Sequence, residues 1–211
     1  MGVLSALEIR KRLSSEDPSD LLFVAPLLER EEQLREDQAG IDIRLGTEFS
    51  IAVPALGDAI DTLESSNRRV GGDYQRLYVR LGECIVAHPH QFILGQSLEY
   101  LRFPANLGGY VVGRSSWGRR GLVVATAVGI HPNFSGTLTL ELRNLGEIPL
   151  KLYPGDTIAQ LFIHDLTGEP SSSKSLSQFA RATSPTLGRL RYSGTERKLR
   201  ALKERRDRAG D

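Results

Sequence analysis

From Ile41 to residue 164, the chain is a succession of short segments in which apolar and polar residues alternate. The clearest is IDIRLGTEFSI, which begins at Ile41. Further strand-like segments lie at residues 76–87, 92–101, 108–113, 122–130, 136–143, 149–153 and 157–164, separated by Gly, Pro and Asn. Short strands at intervals of about 8–12 residues are typical of an all-β sandwich or barrel. The lack of βαβ alternation argues against a doubly wound parallel sheet.

The N-terminal part departs from this pattern. Residues 5–8 read Ser-Ala-Leu-Glu, a capping-box sequence that predicts a short helix over residues 5–15. Pro26–Asp37 is charge-rich, and its proline at a possible first helical position predicts a second short helix. The polar segment Gly57–Gly72 predicts a loop. We therefore predict one mainly β domain over residues 1–170, with an N-terminal helical segment.

Residues 171–211 form a predicted C-terminal tail. Ser171–Pro185 is rich in serine and poor in apolar residues, so we expect it to be mobile without a partner. Thr195–Asp211 is basic and helix-prone. It is either an RNA-binding tail or a solvated helix, and its lack of interleaved aromatic residues favours the helix.

The bulk composition narrows the class of protein. The net charge of +1 gives no general attraction to nucleic acids or membranes. The single cysteine, Cys84, cannot form an internal disulfide and fits a reducing compartment. No apolar run approaches the ~20 residues of a membrane span. Charges interrupt the first residues where a signal peptide needs an apolar core. We expect a cytoplasmic protein with no membrane or nucleic-acid partner.

The segment GRSSWGRRG, residues 113–121, combines residue types suited to phosphate. Arg114 and Arg119 supply planar donors that match phosphate oxygens, and Ser115 and Ser116 add hydroxyl groups. The order of a Walker A loop is absent. By composition alone, the segment is either a phosphate-binding turn or an ordinary surface turn.

Glu141 lies in GTLTLELRN, where Thr137, Thr139 and Glu141 share one face of a strand. The alternating leucines share the other face, which we expect to be core. Glu141 is either a solvent-exposed carboxylate or a general base whose pKa a dry pocket raises. The pattern alone leaves both open.

The histidines raise the question of a metal site. His88 and His90 in HPH could contribute to a zinc site, although Pro89 makes a turn equally reasonable. A zinc deaminase needs H-x-E with P-C-x-x-C, which one cysteine cannot supply. A G-x-S-x-G serine-hydrolase elbow is also absent. His131, in GIHPNFSG, lies either in a plain hairpin or on the floor of a ligand site.

Five ordered segments carry a further signal: AGIDIRLGTEF, HPHQFILGQSLEYLRFPANLGGYVVGRSSWGRRGL, TAVGIHPNFSGTLTLELRN, LKLYPGDTIAQLFIHDL and PTLGRL. Together they resemble the dCTP deaminase/dUTPase superfamily. The T-L-x-L-E order that ends at Glu141 is similar to the deaminase branch. The resemblance implies a distorted, jelly-roll-like β-barrel of the dUTPase fold. It also implies a homotrimer with sites at subunit interfaces.

For this chain, the resemblance implies hydrolytic deamination of dCTP, or a related cytosine nucleotide, to dUTP and ammonia without zinc. Glu141 would exchange protons with the water and the leaving amino group, while Ser115 and the backbone near Ala127 hold the water. The base and sugar would lie against residues 127–131. Mg²⁺ would enter on the triphosphate. The implied phosphate ligands are Arg114, Ser115, Ser116 and Arg119.

The chain differs from the family pattern at His131 and in its C-terminal tail. His131 replaces an Asp that contacts the sugar 3′-hydroxyl and, in dUTPases, activates the hydrolytic water. A neutral imidazole can still hydrogen-bond a hydroxyl. The family's Lys-Tyr-x-x-Gln appears here as Gln178, Phe179 and Ala182, where Phe179 keeps a ring that can pack over the nucleotide. The alternatives are a dUTP/dCTP diphosphatase, alone or coupled to deamination, and a nucleotide-binding sensor with little turnover.

Overall fold

The computed structural model describes residues 2–28, 30–52, 74–125, 129–168, 181–188, 193–196, 198 and 201. The helices in this part of the chain are α1 (Ala6–Leu13), α2 (Arg30–Gln33) and α3 (Ser115–Gly118). The strands are β1 (Phe23–Ala25), β2 (Ile41–Ala52), β3 (Tyr74–Tyr78), β4 (Ile85–Ala87), β5 (Phe92–Arg102), β6 (Leu107–Gly113), β7 (Leu122–Val124), β8 (Gly129–Ile130), β9 (Ser135–Asn144), β10 (Leu150–Leu152) and β11 (Thr157–Asp165). The predicted mainly β fold class with short N-terminal helices is confirmed.

Most strands belong to one sheet that curls into a half-barrel. The strand order is β7-β9-β5-β2-β11-β6-β8, with β1 paired to β5 and β3 paired to β2. β4 and β10 form a separate two-stranded sheet. The pairings between the described strands are antiparallel. This order brings the N-terminal half of β2 beside β11, far away in sequence.

A hydrophobic core packs against this sheet. On β9, Leu138, Leu140 and Leu142 are buried, whereas Thr137, Thr139 and Glu141 are half-buried, as the alternation predicts. Burying each such leucine stabilises the fold by about 1.5–3 kcal/mol. Neighbouring strands contribute the fully buried residues Ile41, Ile43, Leu45, Ile93, Leu101, Leu161 and Ile163.

The predicted helix near residue 5 is present as α1. The Ser5 hydroxyl accepts a hydrogen bond from the Glu8 backbone N–H (3.3 Å), which caps the first turn. The second predicted helix, Pro26–Asp37, is wrong in its bounds, because α2 is confined to Arg30–Gln33. The chain reaches this region in extended conformation, since β1 pairs with β5. The Arg10 guanidinium also binds the Leu34 carbonyl (2.9 Å) at the end of α2.

Two of the predicted strands are divided. The segment predicted at 76–87 forms β3 and β4, separated by a turn in which Gly82 has a φ of 88°. A left-handed φ of this kind favours glycine and interrupts the strand. The segment predicted at 122–130 forms β7 and β8, and residues 126–128 between them lie outside the described residues. The strand β1 was not predicted.

The chain divides into two compact units, Met1–Ala52 with Gln75–Thr186 and Val53–Tyr74 with Leu187–Asp211. In the second unit, residues 194–196 are helical, and Ser193 and Glu196 bond reciprocally through side chain and backbone. This is a capping box. The predicted loop at 57–72 lies outside the described residues, as do residues 171–180 of the predicted tail. The division into residues 1–170 and 171–211 stays a prediction.

Candidate functional site

The serine–arginine turn, residues 114–119, is fastened to the start of β11. The backbone N–H of Arg114 donates to the Ile158 carbonyl (3.1 Å), and the Trp117 indole Nε1 donates to the Thr157 carbonyl (2.8 Å). The register of β11 against β2 shifts between Thr157 and Ala159, so Ile158 occupies a bulge. Bulges redirect the groups of a strand, and here the bulged carbonyl accepts the first N–H of the turn.

The turn brings together the side chains predicted to bind phosphate. Ser115, Ser116 and Arg119 are all exposed on it. The Arg119 backbone N–H donates to the Ser115 carbonyl (2.9 Å), which closes one helical turn. The Arg120 guanidinium binds the Ser116 carbonyl (2.7 Å) and stiffens the same turn. Two hydroxyl groups and one guanidinium therefore share a solvent-facing surface.

Arg114 differs from Arg119 because its charge is already paired. Its Nη1 donates to Asp42 Oδ2, and the other oxygen of that carboxylate accepts from Gln160 Nε2 (2.9 Å). Asp42 is only 7% exposed. The structure thus joins three residues from β2, from β11 and from the end of β6.

β7 connects the serine–arginine turn to Glu141. A Cβ on Gly113 would lie 3.2 Å from Cβ of Val124, so the missing side chain allows the turn and β7 to approach closely. Val124 pairs with Leu142 on β9, and the Ala125 backbone N–H donates to the Glu141 carbonyl (2.7 Å). β7 therefore contacts the turn through Gly113 and pairs with β9 beside Glu141.

Glu141 lies on the polar face of β9, opposite Leu94 of β5. Its partial burial raises the pKa of its carboxyl group above the usual value of 4.5. A half-buried carboxyl with a raised pKa is a better proton acceptor at neutral pH than an ordinary one, because its conjugate acid is weaker. Of the two interpretations left open by the sequence, this environment favours the general base.

His131 opens a tight turn that leads into β9. The Phe134 backbone N–H donates to the His131 carbonyl (3.2 Å), Pro132 follows His131, and Asn133 has a φ of 61°. Proline followed by a residue with positive φ is typical of a type II turn. The His131 side chain is exposed. His131 and Glu141 thus lie at opposite ends of β9.

The C-terminal segment 181–186 runs beside the polar face of β9. The Thr137 backbone N–H donates to the Ala182 carbonyl (2.8 Å), and the Thr186 N–H donates to Thr139 Oγ1 (3.3 Å). The tail thus makes hydrogen bonds with β9 at these residues, on the face that carries Glu141. The predicted mobility of Ser171–Pro185 stays a prediction. Ala127 and Phe179, both predicted to contact the nucleotide, lie outside the described residues.

Three residues at this site were not singled out from the sequence: Asp42, Trp117 and Gln160. Asp42 and Gln160 stand in the quoted segments AGIDIRLGTEF and DTIAQLFIHDL, as polar residues among apolar neighbours. That is the signal that could have found them. Trp117 carried no such signal, because nothing in the sequence around it indicates that its indole N–H donates to the Thr157 carbonyl.

In the described part of the chain, no group of three His, Cys, Asp or Glu side chains is close enough to hold a metal ion. The same residues include no helix with the length and apolar character needed to span a membrane.

Comparison with known proteins identifies the family. The family model described as dCTP deaminase-like matches residues 3–166. The chain belongs to the dCTP deaminase-like family. The match confirms the resemblance drawn from the five sequence segments. It also confirms the expectation of a deaminase-like hydrolase.

Curated relatives cover most of the chain. A dCTP deaminase from Natronomonas pharaonis is 36% identical over 192 residues, which are 89% of this chain and 94% of the relative. A relative from Methanobrevibacter smithii named "dCTP deaminase, dUMP-forming" is 32% identical over 168 residues, or 79% of this chain and 82% of the relative. The solved 2′-deoxycytidine 5′-triphosphate deaminase from Agrobacterium tumefaciens superposes with a TM-score of 0.56 at 18% identity. That superposition covers 77% of this chain and 48% of the other, and it shows a shared fold.

Proposed function

We propose that this protein removes the C4 amino group of dCTP by hydrolysis and releases dUTP and ammonia. The observation that carries the proposal is Glu141, a half-buried carboxyl with a raised pKa on the strand that pairs with β7. The names of the curated relatives support deamination of this nucleotide. Membership of the family supports the reaction class.

Glu141 accepts a proton from a water molecule while the water oxygen forms a bond to C4. The proton then passes to the amino group, the C4–N bond breaks and ammonia leaves, while the remaining hydroxyl proton moves to N3 as the C4 carbonyl forms. One carboxyl can serve both transfers when its pKa lies near the working pH. Ser115 and the backbone near Ala127 hold the water. Atoms balance, since the oxygen of one water replaces one nitrogen.

The triphosphate binds the serine–arginine turn. Arg119 has no side-chain hydrogen bond among the described residues, and its exposed guanidinium suits phosphate oxygens. The hydroxyls of Ser115 and Ser116 and the guanidinium of Arg114 complete the group. Mg²⁺ arrives bound to the triphosphate and reduces the charge that the turn must neutralise. No zinc is required, because Glu141 activates the water.

We further propose a homotrimer whose sites combine residues of adjacent subunits, with the ring of Phe179 packing over the nucleotide. The exposed turn leaves one side of the nucleotide uncovered within a protomer, and open sheet edges favour association. Sedimentation of the intact protein at micromolar concentration should show a trimer. A monomer that still deaminates dCTP would contradict the interfacial site.

The second candidate is a bifunctional enzyme that also removes diphosphate and yields dUMP. Its support is that several curated relatives are named dUMP-forming. Against it stands His131, because an exposed imidazole replaces the carboxylate expected to activate a second water. With dCTP and Mg²⁺, we expect dUTP to accumulate without diphosphate. His131→Asp should keep deamination and add some diphosphate release; dUMP from the unaltered protein would establish the second candidate.

The decisive experiment compares Glu141→Gln with the unaltered protein. Glutamine keeps the shape and the hydrogen bonding of the side chain and cannot transfer the proton. Ammonia release from dCTP should fall by about 10²–10⁴-fold, while calorimetry with dCTP shows near-normal affinity. The matched control is Glu147→Gln, because Glu147 is an exposed carboxylate beyond the end of β9. Equal activity in the two variants, or no deamination by the unaltered protein, would favour the nucleotide-binding sensor.

A further inference from the structure

The pair formed by Arg114 and Asp42 lies at the start of the serine–arginine turn. Gln160 lies on β11, where it pairs in register with Asp42 of β2 on one side and with Val112 of β6 on the other. Arg114 follows Val112 by two residues, so the two residues point to the same face. The carboxylate of Asp42, the amide of Gln160 and the guanidinium of Arg114 therefore lie close together, although they come from β2, from β11 and from the end of β6.

The Asp42 carboxylate is held from both sides. Oδ2 accepts from Arg114 Nη1, and Oδ1 accepts from Gln160 Nε2 at 2.9 Å. Its backbone is held as well, because the Asp42 carbonyl accepts from the buried Gln33 amide at 3.1 Å. At 7% exposure, this carboxylate has little water to reorient it. A buried charge fixed by hydrogen bonds on both oxygens provides a rigid reference for its partner.

The fixed Asp42 carboxylate holds the Arg114 guanidinium in place, and part of the Arg114 side chain remains accessible to solvent. Its side chain is 29% exposed. One amino group contacts Asp42, and a guanidinium has five N–H donors. A free arginine side chain samples many rotamers, and fixing it in advance lowers the cost of using its remaining donors on a ligand. The ion pair has no net charge, so its benefit to an anion comes from orientation and not from added positive charge.

We propose that Asp42, fixed by Gln160, is a positioning residue that orients the Arg114 guanidinium toward the triphosphate bound at the serine–arginine turn. This inference rests on the proposed function for the identity of the nucleotide. It predicts a change in anion affinity opposite to the one that charge alone would cause. If Asp42 were only a nearby negative charge, removing it would strengthen binding of an anion. If Asp42 orients Arg114, removing its charge weakens binding.

The test is calorimetric titration of the full-length protein with Mg²⁺·dCTP and with deoxycytidine. Asparagine has one acceptor oxygen in place of two, so Asp42→Asn must lose one of the two bonds. We expect dCTP affinity to fall about 10- to 100-fold, the effect of losing a charge-assisted hydrogen bond. Deoxycytidine affinity should change less than about twofold, because that ligand has no phosphate for Arg114 to bind. Tighter dCTP binding, or equal losses for both ligands, would overturn the inference.

Two further variants separate positioning from general damage. In an Arg114→Ala background, Asp42→Asn should change dCTP affinity by less than about twofold, because coupled residues lose their effect together. The matched control is Asp165→Asn, which removes another Asp–Arg pair, with Arg12 (2.7 Å), on the same strand as Gln160. It should leave dCTP affinity unchanged. Independent, additive losses in the double variant would overturn the positioning role.

If Asp42→Asn fails to fold, Gln160→Leu replaces it, since it keeps the Asp42 charge and removes one of its two hydrogen bonds. We then expect a weaker loss of dCTP affinity of about three- to tenfold, because the bond between Asp42 and Arg114 is kept. Unchanged dCTP affinity in this variant would refute the inference. The readout is binding, so it remains informative if the protein binds dCTP without deaminating it. That result would refute only the proposed function. An unaltered protein that binds dCTP no more tightly than deoxycytidine would overturn the inference as well.

Discussion

Glu99 is a fully buried carboxyl group that links three elements of the fold. It is 0% exposed. Its Oε1 accepts from Gln33 Nε2 of α2 (2.9 Å), and its Oε2 accepts from the Arg44 backbone N–H of β2 (3.0 Å). Burial raises the pKa of Glu99 from 4.5 to about 7, and the hydrogen bonds from Arg44 and Gln33 only partly oppose this effect. Glu99 therefore changes charge near neutral pH.

The raised pKa predicts how stability depends on pH. In the unfolded chain the group ionises near 4.5, whereas in the folded protein it stays protonated up to about 7. Between these values the folded state binds more protons, so the free energy of unfolding falls as pH rises. A difference of one pKa unit corresponds to about 1.36 kcal/mol. The difference between 4.5 and about 7 therefore lowers the free energy of unfolding by about 3 kcal/mol in total as the pH rises through this range. The loss is complete above the folded-state pKa.

Glu99→Gln removes this ionisation and nearly preserves the volume. We expect the stability of the variant, relative to the unaltered protein, to rise by about 3 kcal/mol between pH 4.5 and 8. The absolute stability of the variant can be lower, because its amide N–H₂ would face that of Gln33. The buried Gln33 Oε1 has no hydrogen-bond partner among the described residues, and it could accept from the new amide only if the Gln33 side-chain amide flips.

The assay is urea unfolding at several pH values and one fixed protein concentration, which keeps any assembly constant. Glu31→Gln is the control, because the Glu31 side chain is 83% exposed and its carboxylate is solvated in both states. Its stability difference from the unaltered protein should stay flat across the same range. A difference between Glu99→Gln and the unaltered protein that does not vary with pH would refute the assignment of a buried, neutral carboxyl.

Three further predictions concern the candidate site. Arg119→Ala should weaken dCTP binding about 10- to 100-fold by calorimetry and deoxycytidine binding much less, since the charge-assisted contact is to phosphate. Trp117→Phe keeps the packed ring and loses the bond to the Thr157 carbonyl; KM for dCTP should rise a few-fold with a small loss of thermal stability, and an unchanged KM would deny that this bond holds the turn. Deamination should require ionised Glu141 and, because its pKa is raised, should decline on acidification at a higher pH than an ordinary carboxyl would produce; a pH–rate profile flat down to pH 5 would contradict this.

Features set by neighbours along the chain could be predicted from the sequence. The capping residue of α1 needs only Ser5 and the backbone three residues later. The leucine face of β9 follows from strict alternation, because a strand repeats every two residues. The grouping of Ser115, Ser116 and Arg119 needs only one short turn. The ordered segments around these residues were sufficient to predict the family and the mainly β fold.

The strand β5 has a buried face that the sequence alone does not predict. Phe92, Leu94, Leu98 and Tyr100 occupy one set of alternating positions, and the other set combines the apolar Ile93 and Leu101 with the polar Ser97 and Glu99. Alternation alone would turn the more apolar set inward. In the structure Ser97 and Glu99 are fully buried, because β2 and β9 lie on either side of β5 and set which of its faces meets the core. Long-range strand pairing decided this, and the residues of β5 do not record it.

The candidate site also combines features that the sequence predicts with contacts that only the folded sheet creates. Glu141 and the serine–arginine turn were recognisable as local patterns, but the pairing of Asp42 with Arg114 and Gln160 was not. These residues are separated by 72 and 118 positions from Asp42, and they meet only because β2, β11 and β6 are adjacent in the sheet. A sequence determines which side chains are available and how their strands alternate. The order of strands in the folded sheet decides which of those side chains meet, since hydrogen bonds and ion pairs act over a few ångströms regardless of separation along the chain.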